Sequence, residues 1–376
     1  MGIVYLDNNA TTRTDPAVVE AMLPWFSERY GNAGSAHMLG HLSEGAVGQA
    51  RAQVAALLNA QPSEIVFNSG GTEGLNHALR GVFEAFPAKR HLVTTAVEHS
   101  AQLAACEWLR RAGVEITVLG VDGEGRLDPA AVEAAIRPDT GLVSVMAANN
   151  ETGVRFAIDE IAPRVKAKGT LLHVDAVQAV GKVPLDLAAL PIDLLSLSGH
   201  KFHGPKGTGA LFIRRGLRIR PLLPGHQERE RRATTENVPG LVGLGKAAEL
   251  AASRMPDMAR VEALRDTLET AIRAIPDARV HGGGAPRLPN TCLAGFAGIE
   301  GEALLLQLGE RGVCVSTGSA CTTGQKEPSH VLKAMAVPEA YAKGTIRFSL
   351  SRETTEGEIE AIAAMLPGLV AGLRAR

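Results

Sequence analysis

The sequence lacks an excess of charge of either sign. Its 376 residues include 39 lysine and arginine side chains and 40 aspartate and glutamate side chains, which leaves a formal net charge of -1. A chain with so little net charge has no overall electric field that would attract nucleic acid or an anionic membrane surface. We therefore expect neither nucleic acid nor a membrane among its partners.

Long hydrophobic runs are also missing. No apolar stretch of the sequence approaches the roughly 18 residues that a membrane-spanning helix requires. The N-terminal stretch MGIVYLDNNATTRTDP reaches Asp7 before the apolar core of a signal peptide could form. These two features predict a cytoplasmic protein. No internal repeat or low-complexity tract is present either.

Cysteine is scarce, and its spacing fits neither a metal site nor a disulfide framework. The four cysteines are Cys106, Cys292, Cys314 and Cys321. They form no C-x-x-C pair and have no histidine at metal-ligand spacing, so we predict no metal and no disulfides. The first three lie in apolar helix or strand patterns, where packing in the core is the expected role. Cys321 differs, because STGSACTTG surrounds it with glycines and small hydroxyl residues.

Short apolar runs alternate with helical patterns between about residues 60 and 215. Seven runs are predicted to be strands: EIVFNS, HLVTTA, VEITVLGV, GLVSVMAAN, TLLHVDAV, DLLSLSG and GALFIRR. Segments between several of them have helical spacing, such as SAQLAACEWLRRAG, LDPAAVEAAI and IDEIAPRVKAKG. This alternation predicts an α/β fold with a mostly parallel seven-stranded sheet covered by helices.

A second architecture is predicted after the helical pattern PGLVGLGKAAELAASR. Strand candidates NTCLAGF, VCVS and GTIRFSL are combined there with the helix candidate GEALLLQLGERG and a final helix that is expected to end at Arg376. We predict a large domain over residues 15–250 and a smaller α+β domain formed by residues 1–14 and 251–376, which carries the Cys321 segment.

Two short strings look like known motifs and are rejected. GLVGLGKA lacks the hydroxyl residue that a Walker A loop needs for magnesium, and no strand precedes it, so it predicts a helix start. HGGG has no accompanying G-x-S-x-G elbow and is expected to form a turn.

Ligands of open α/β sheets bind beyond the C-terminal ends of the strands, and the first such end here is glycine-rich. In EIVFNSGGTEGLNHAL the predicted strand is followed by Gly70, Gly71, Thr72 and a helix start. Glycines let the backbone approach an anion, and a helix N-terminus beside a hydroxyl favours phosphate. A plain strand-to-helix turn capped by threonine gives the same pattern, so both interpretations stay open.

A carboxylate, Asp175, ends the apolar run LLHVD. Burying a carboxylate is costly unless a cation or a hydrogen-bond donor faces it. Asp175 is therefore either a cap for the segment that follows or the counter-ion of a buried cation, such as a protonated pyridine nitrogen.

At the third strand end, in DLLSLSGHKFHGPKG, Ser198, His200 and Lys201 lie in a glycine-bounded turn. Lys201 is either an ordinary surface lysine or a lysine whose pKa is lowered by burial, which suits Schiff-base chemistry. Ser198 and His200 are side chains that can bind phosphate.

The fourth strand end places His99 just ahead of a helix in HLVTTAVEHSAQ, where a solvated residue or a neighbour of the helix cap is the ordinary interpretation. Together the four strand ends supply what pyridoxal phosphate requires. These are an amine for its aldehyde, an acid for its ring nitrogen, a phosphate cradle and an imidazole partner for its ring.

Ordered motifs extend this pattern over nearly the whole chain. They are YLDNNATT, GNAGSAH, TEGLN, VEHSA, ANNETG, HVDAVQAVGK, SLSGHKFHGPKG, HQERERRATTEN, STGSACTTGQKEPSHVL and TIRFSLSR. The set resembles the class V aminotransferase group of fold-type I pyridoxal-phosphate enzymes, and specifically the cysteine desulfurases. VYLDNNATTRTDP and SVMAANNETG are most similar to the NifS branch, which supplies sulfur for nitrogenase clusters.

The resemblance implies how pyridoxal 5'-phosphate would be held. Lys201 would bind it covalently, Asp175 would pair with its ring nitrogen, and Gln178 would hydrogen-bond its ring oxygen. His99 would stack on the ring and move protons. The phosphate contacts would be Gly71, Thr72, Ser198, His200 and, from the second subunit of a homodimer, Thr235. RRATTEN departs from the family pattern here, because Thr234 stands where a glycine is usual.

The resemblance also implies the chemistry. Asn150 would bind near the ring, Arg347 would clamp the carboxylate of L-cysteine, and Asn32 would lie close to the same carboxylate. Lys201 would move the α-proton, and Cys321 would take the substrate sulfur as a persulfide, leaving alanine. A free thiol has a pKa of about 8.5 and is mostly protonated at neutral pH, so His99 is the candidate acceptor of its proton.

The expected partner is a sulfur-accepting scaffold protein for iron-sulfur clusters, with nitrogenase clusters as one destination. Two rival functions use the same motifs. One is a selenocysteine lyase or cysteine sulfinate desulfinase, and the other is a catalytically inactive scaffold with the desulfurase fold.

Overall fold

The strands divide among three sheets in the part of the chain that the structure describes, residues 2–317 and 328–375 of a computed structural model. The strands are β1 (Val4–Tyr5), β2 (Ile65–Asn68), β3 (His91–Thr95), β4 (Glu115–Leu119), β5 (Thr140–Met146), β6 (Leu171–Asp175), β7 (Leu194–Ser198), β8 (Gly209–Ile213), β9 (Ala278–His281), β10 (Thr291–Phe296), β11 (Val313–Cys314) and β12 (Thr345–Ser349).

The largest sheet has seven strands in the order β2-β8-β7-β6-β5-β3-β4. The pairings from β4 through β3, β5 and β6 to β7 are all parallel, whereas β8 is antiparallel to both β7 and β2. Strands β5 and β7 are buried along their whole length, as expected for strands covered on both faces. The predicted seven strands and the mostly parallel sheet are confirmed.

Some helices cover both faces of this sheet, and others pack in a third core beside the smaller sheets. The helices are α1 (Pro16–Met22), α2 (Pro24–Ser27), α3 (Met38–Leu57), α4 (Gly71–Ala85), α5 (Ser100–Arg111), α6 (Pro129–Ala134), α7 (Ile158–Ala167), α8 (Gln227–Glu230), α9 (Val238–Ser253), α10 (Asp257–Arg273), α11 (Gly301–Gly309), α12 (His330–Ala334), α13 (Glu339–Ala342) and α14 (Glu356–Arg374). Apolar residues of α3, α7 and α9 share one core with the sheet, and those of α4 and α5 share another. Successive side chains of each strand point to opposite faces of the sheet, so the same strands pack against the helix layer on each face.

A third core lies away from the large sheet and draws on both ends of the chain. It joins Val4 and Leu6 with residues of α10, α11 and α14 and with Phe296 and Phe348 on strands β10 and β12. The antiparallel sheet β12-β10-β9 and the parallel pair β1-β11 accompany it. The predicted boundary at residue 250 would fall inside α9, and this division into two domains stays a prediction.

Several sequence expectations can be compared directly with the structure. GLVGLGKA lies within α9 and HGGG runs from the end of β9 into a turn, as predicted. The last described helix ends at Arg374 rather than Arg376. Within the described ranges, no helix combines the length and the apolar character needed to cross a bilayer.

The expectation for the cysteines was right for two of them and wrong for one. Cys106 and Cys292 are buried, but Cys314 is exposed. Side chains alternate along a strand, and in the two-residue strand β11 the inward position belongs to Val313, so Cys314 faces outward. An apolar neighbourhood in sequence did not reveal which face each residue occupies.

Candidate active site

A cavity of about 200 Å³ lies where β5, β6 and β7 end and α4 begins. This is the edge of a parallel sheet at which ligands of such folds bind. The predicted site residues that line it are Gly71, Thr72, His99, Asn150, Asp175, Gln178, Ser198, His200 and Lys201. Residues from five separate motifs therefore meet at one place.

The glycine-rich strand end forms a tight turn into α4. Gly70 has a φ of +145°, a conformation that side chains other than glycine rarely adopt. A Cβ atom on Gly71 would lie 2.5 Å from Val177 Cγ2, so the backbone approaches the segment after Asp175 as closely as possible. The helix N-cap is Gly70 and no side chain caps it, which contradicts the interpretation of Thr72 as a plain cap. The N–H groups in the first turn of a helix have no partner within the helix, so this end of α4 is suited to an anion.

Asp175 has the first of the two roles that the sequence left open, and its role as a counter-ion stays a prediction. Its Oδ1 accepts a hydrogen bond of 3.0 Å from the Val177 N–H, so the carboxylate caps the turn that follows β6. The same side chain lines the cavity. Burial raises the pKa of Asp175 to about 6, while the Val177 N–H and the nearby Lys201 oppose the shift. These contacts stabilise the buried Asp175 carboxylate only in part, so a cation bound in the cavity would stabilise it further.

Lys201 is not a surface lysine, because it lines the cavity at the end of the short 3-10 turn Gly199–Lys201. Its Nζ donates to the carbonyl oxygens of Asn9 at 2.6 Å and Ala10 at 2.9 Å. The N-terminal segment thus helps to position this amine. His200 Nδ1 lies 3.2 Å from Thr11 Oγ1, and burial together with nearby lysines lowers the pKa of His200 to about 4.

The contacts of His99 decide which of its nitrogens carries the proton. The Ala101 N–H donates to Nδ1 at 3.2 Å, so His99 caps α5 and its proton resides on Nε2. Burial, Lys201 and His330 lower the pKa of His99, which keeps the ring neutral. In this arrangement the Nε2–H is a donor. Acceptance of a thiol proton by His99, which stays a prediction, would require the Ala101 hydrogen bond to break.

Arg347, on strand β12, does not line the cavity itself but contacts Asn150, which does. Its Nη1 donates to the Asn150 carbonyl at 3.0 Å, and its Nη2 forms an ion pair with Asp7 Oδ1 at 2.7 Å. The Nε atom is buried and has no hydrogen-bond partner among the described residues. A guanidinium donor with an unmet hydrogen bond beside Asn150 is suited to binding a carboxylate.

Besides Arg347, two predicted residues do not line this cavity. Asn32 is exposed in the connection between α2 and α3, and its Oδ1 accepts a hydrogen bond from the Gly34 N–H. Thr235 is exposed between α8 and α9 and lines a different cavity of about 140 Å³. Cys321 lies outside the described residues.

Two buried carboxyls that the sequence analysis did not single out lie beside the cavity. Glu98 Oε1 accepts from Thr95 Oγ1 and from the Met146 N–H, and burial raises the pKa of Glu98 to about 8, with Asp175 adding to the shift. Burial likewise raises the pKa of Glu151 to about 7, which Ser329 and Arg347 moderate. Their places within VEHSA and ANNETG were the only signal in the sequence.

Two further residues that the sequence analysis missed hold a lining residue of the cavity in place. Asn9 and Lys182 are buried and hydrogen-bond to Gln178, which lines the cavity. Asn9 lies 169 and 173 positions from Gln178 and Lys182 in the chain, so no local pattern could have paired it with them. Among the described residues there is no group of three or more His, Cys, Asp or Glu side chains that could hold a metal ion.

Comparison with known proteins gives consistent matches. The family model described as aminotransferase class-V matches residues 4–362. Cysteine desulfurase 2 of Trichormus variabilis is 55% identical over 377 residues, which cover 100% of this chain and 95% of that protein. A solved structure described as a NIFS-like protein has a TM-score of 0.92 at 40% identity, covering 99% of this chain and 100% of that one. Another, SspA in complex with cysteine, has a TM-score of 0.84 at 34% identity and covers 94% of this chain and 100% of that one.

Proposed function

We propose, because this chain belongs to the aminotransferase class-V family and within it to the cysteine desulfurases, that it converts L-cysteine to L-alanine and takes the sulfur onto Cys321 as a persulfide. Its α/β architecture is that of fold-type I enzymes. The observation that carries the proposal is the meeting of Lys201, Asp175 and His99 around one cavity at the edge of the parallel sheet.

The family generally depends on pyridoxal phosphate, and the residues at this cavity fit that group. A phosphate is suited to the N-terminus of α4, where the absence of a side chain at Gly71 lets the backbone come close and Ser198 lies nearby. The buried carboxyl of Asp175 suits the protonated ring nitrogen, and the Nζ of Lys201 suits the aldehyde. When bound, the cofactor supplies an electron sink for the carbon from which the substrate proton is removed.

The chain's own side chains divide the remaining work. Arg347 and Asn150 hold and orient the substrate carboxylate, because the guanidinium already contacts the Asn150 carbonyl and its Nε–H has no partner among the described residues. Lys201 Nζ would carry the α-proton of the bound substrate. His99, with its proton on Nε2, offers a hydrogen-bond donor to a group bound in the cavity. The thiolate of Cys321 forms the new sulfur–sulfur bond as the carbon–sulfur bond of the substrate breaks.

A homodimer is part of the proposal. Thr235 and Asn32 are exposed and lie away from the cavity of their own chain, which is consistent with a function at the partner's site. The sulfur acceptor is proposed to be a scaffold protein for iron-sulfur clusters, with nitrogenase clusters as one destination, and the location is proposed to be cytoplasmic.

A comparison of substrates tests the function. Alanine formation is measured with L-cysteine, selenocysteine and cysteine sulfinate at matched concentrations, with and without a thiol acceptor. We expect L-cysteine to be turned over with release of sulfide only when the acceptor is present. Faster turnover of selenocysteine or cysteine sulfinate would identify the rival eliminating activities. Bound cofactor without alanine from any of the three would identify an inactive scaffold.

A further inference from the structure

A second lysine lies buried behind the candidate active site. Lys182 is only 7% exposed and follows Gly181, whose φ of +77° and close approach to Phe202 hold the turn in a glycine-only conformation. No carboxylate lies within 4 Å of its ammonium group in residues 2–317 and 328–375, so ion pairing does not explain its burial. A buried amine must be hydrogen-bonded, and its partners show what it does.

The partners of Lys182 are two side-chain amide oxygens. Its Nζ donates to Gln178 Oε1 at 2.9 Å and to Asn9 Oδ1 at 3.3 Å. Gln178 Nε2 in turn donates to the backbone carbonyl of Asn9 at 2.9 Å. The three residues therefore form a closed ring of hydrogen bonds that joins the turn after β6 to the N-terminal segment.

This ring fixes the orientation of the Gln178 amide. The Asn9 carbonyl can only accept, so the amide nitrogen must face it, and the amide oxygen must then face the lysine donor. One of the two Nε2 hydrogens is used by Asn9, and the other is left for the cavity that Gln178 lines. Without the lysine, a flip of the amide would turn an acceptor toward the cavity instead of a donor.

We propose that Lys182 is a positioning residue of the active site, which holds Gln178 so that an Nε2–H faces the ring oxygen of the bound cofactor. The inference rests on the proposed function and extends it, since Gln178 acts on the cofactor only in the orientation that Lys182 sets. Lys182 itself does not touch the cofactor or the substrate.

The charges around Lys182 agree with a role as donor rather than as ion-pair partner. Burial lowers the pKa of Lys182 well below its usual value, and two further cations, Lys201 from the turn after β7 and Arg347 from β12, lower it further. Both the charged and the neutral amine have hydrogens to donate to Gln178 Oε1. The hydrogen bonds therefore survive changes in the protonation of the amine.

Titration of the cofactor-free protein with pyridoxal phosphate tests the proposal through the visible band of the lysine-bound cofactor. For Lys182→Met we expect the dissociation constant to rise about tenfold, the size expected for one buried hydrogen-bonding group left unsatisfied. The pH midpoint of the visible band should shift upward, because a donor to the anionic ring oxygen is lost. Lys182→Gln, which keeps an amide donor, should recover most of the affinity. Lys166→Met, at an exposed lysine on α7, is the matched control and should equal the unaltered protein.

A double substitution separates positioning from general damage. In a Gln178→Leu background, Lys182→Met should weaken cofactor binding by no more than about twofold, since its target is already missing. A full tenfold loss in that background, an unchanged pH midpoint, or no recovery by Lys182→Gln would overturn the proposal. Thermal unfolding of each cofactor-free variant reports folding independently. If the unaltered protein binds the cofactor but yields no alanine, the desulfurase proposal fails while this test still stands.

Discussion

The cavity at the edge of the seven-stranded sheet and the surface segments that carry Asn32 and Thr235 are built in different ways. Asp175 and Ser198 end buried strands, and hydrogen bonds from distant parts of the chain hold Lys201 and Gln178. Asn32 and Thr235 instead lie exposed on connections between helices. The difference is that the cavity is built within one chain, whereas the two outlying residues contribute to a site only if the proposed homodimer brings them to the partner's cavity.

The segment before Thr235 shows that this outlying surface is nevertheless ordered. Glu228, Arg229 and Glu230 have φ values of +51°, +57° and +62°, which side chains other than glycine rarely adopt. Arg51 binds both oxygens of the buried Glu228 carboxylate, at 2.6 and 2.7 Å, and compensates for this strain. A fixed loop on the surface fits a role in a neighbouring subunit better than a role in a freely moving tail.

The largest effect is expected at the centre of the cavity. Lys201→Ala should abolish the visible band of the lysine-bound cofactor and lower alanine formation by more than about 10³-fold, because both the covalent anchor and the proton carrier are lost. Absorption spectra and single-turnover alanine assays measure the two losses. Retention of the band would show that another amine holds the cofactor.

Asp175→Asn should weaken cofactor binding by about 10²-fold or more, since a buried cation would lose its counter-ion. In the unaltered protein the pKa of Asp175 is raised to about 6 by burial, and a bound cation would lower it. The carboxylate form is therefore favoured on binding, so affinity should fall as the pH drops below about 6. The asparagine variant should lose this part of the pH dependence. An identical pH profile for both proteins would exclude Asp175 as the ring partner.

Thr235→Ala should weaken cofactor binding about tenfold, as expected for one hydrogen bond to a charged group. Mixed dimers sharpen the comparison between cavity and surface. If Thr235 serves the partner's cavity, a dimer of one Lys201→Ala chain and one Thr235→Ala chain contains one intact site, and its affinity and activity should recover. If mixing restores nothing, Thr235 acts within its own chain or not at all.

The last prediction concerns the folding stability of the protein rather than cofactor binding or activity. Burial raises the pKa of Glu98 from 4.5 to about 8, so the folded state keeps a proton that the unfolded state releases between these values. Folding stability should therefore decrease as the pH rises through this range, by about 1 kcal/mol for each pH unit. Glu98→Gln removes this titration, and its advantage over the unaltered protein should grow from pH 5 to pH 8. Denaturant unfolding of the cofactor-free proteins measures it, and parallel stability curves would contradict the assignment.

Much of the large sheet was readable from sequence because its buried strands are short, continuous apolar runs between turn residues. Helix α3 was not predicted, and its contacts explain why. It meets α9 through small residues, so closely that a Cβ on Gly245 would lie 2.6 Å from Ala50 Cα. A contact face made of small residues differs little in hydrophobicity from the exposed face of the same helix, so the sequence shows no clear helical pattern. Helix α10 was also missed, although Val261, Leu264 and Leu268 recur at helical spacing and are buried.

The residues of the candidate site likewise divide into those that the sequence singled out and those that it did not. Asp175 and Lys201 stand at strand ends, where a local pattern and a rule about parallel sheets are enough to single them out. Asn9 reaches Gln178 and Lys182 from 169 and 173 positions away in the chain, so no local pattern links it to them. Lys182 lies only four residues after Gln178, but that spacing alone does not show that its amine is buried or what it contacts. The resemblance in YLDNNATT and HVDAVQAVGK covered both residues but assigned a function to neither.

The central claim is that the substrate sulfur passes to Cys321. The most direct measurement is a single turnover of L-cysteine without thiol, followed by mass spectrometry of the Cys321 peptide and by alanine quantification. We expect one sulfur atom on Cys321 for each alanine formed. In Cys321→Ser we expect no sulfur transfer, while the visible cofactor band persists. Alanine and sulfide formed at an unchanged rate by Cys321→Ser, or the sulfur found on another cysteine, would contradict the account.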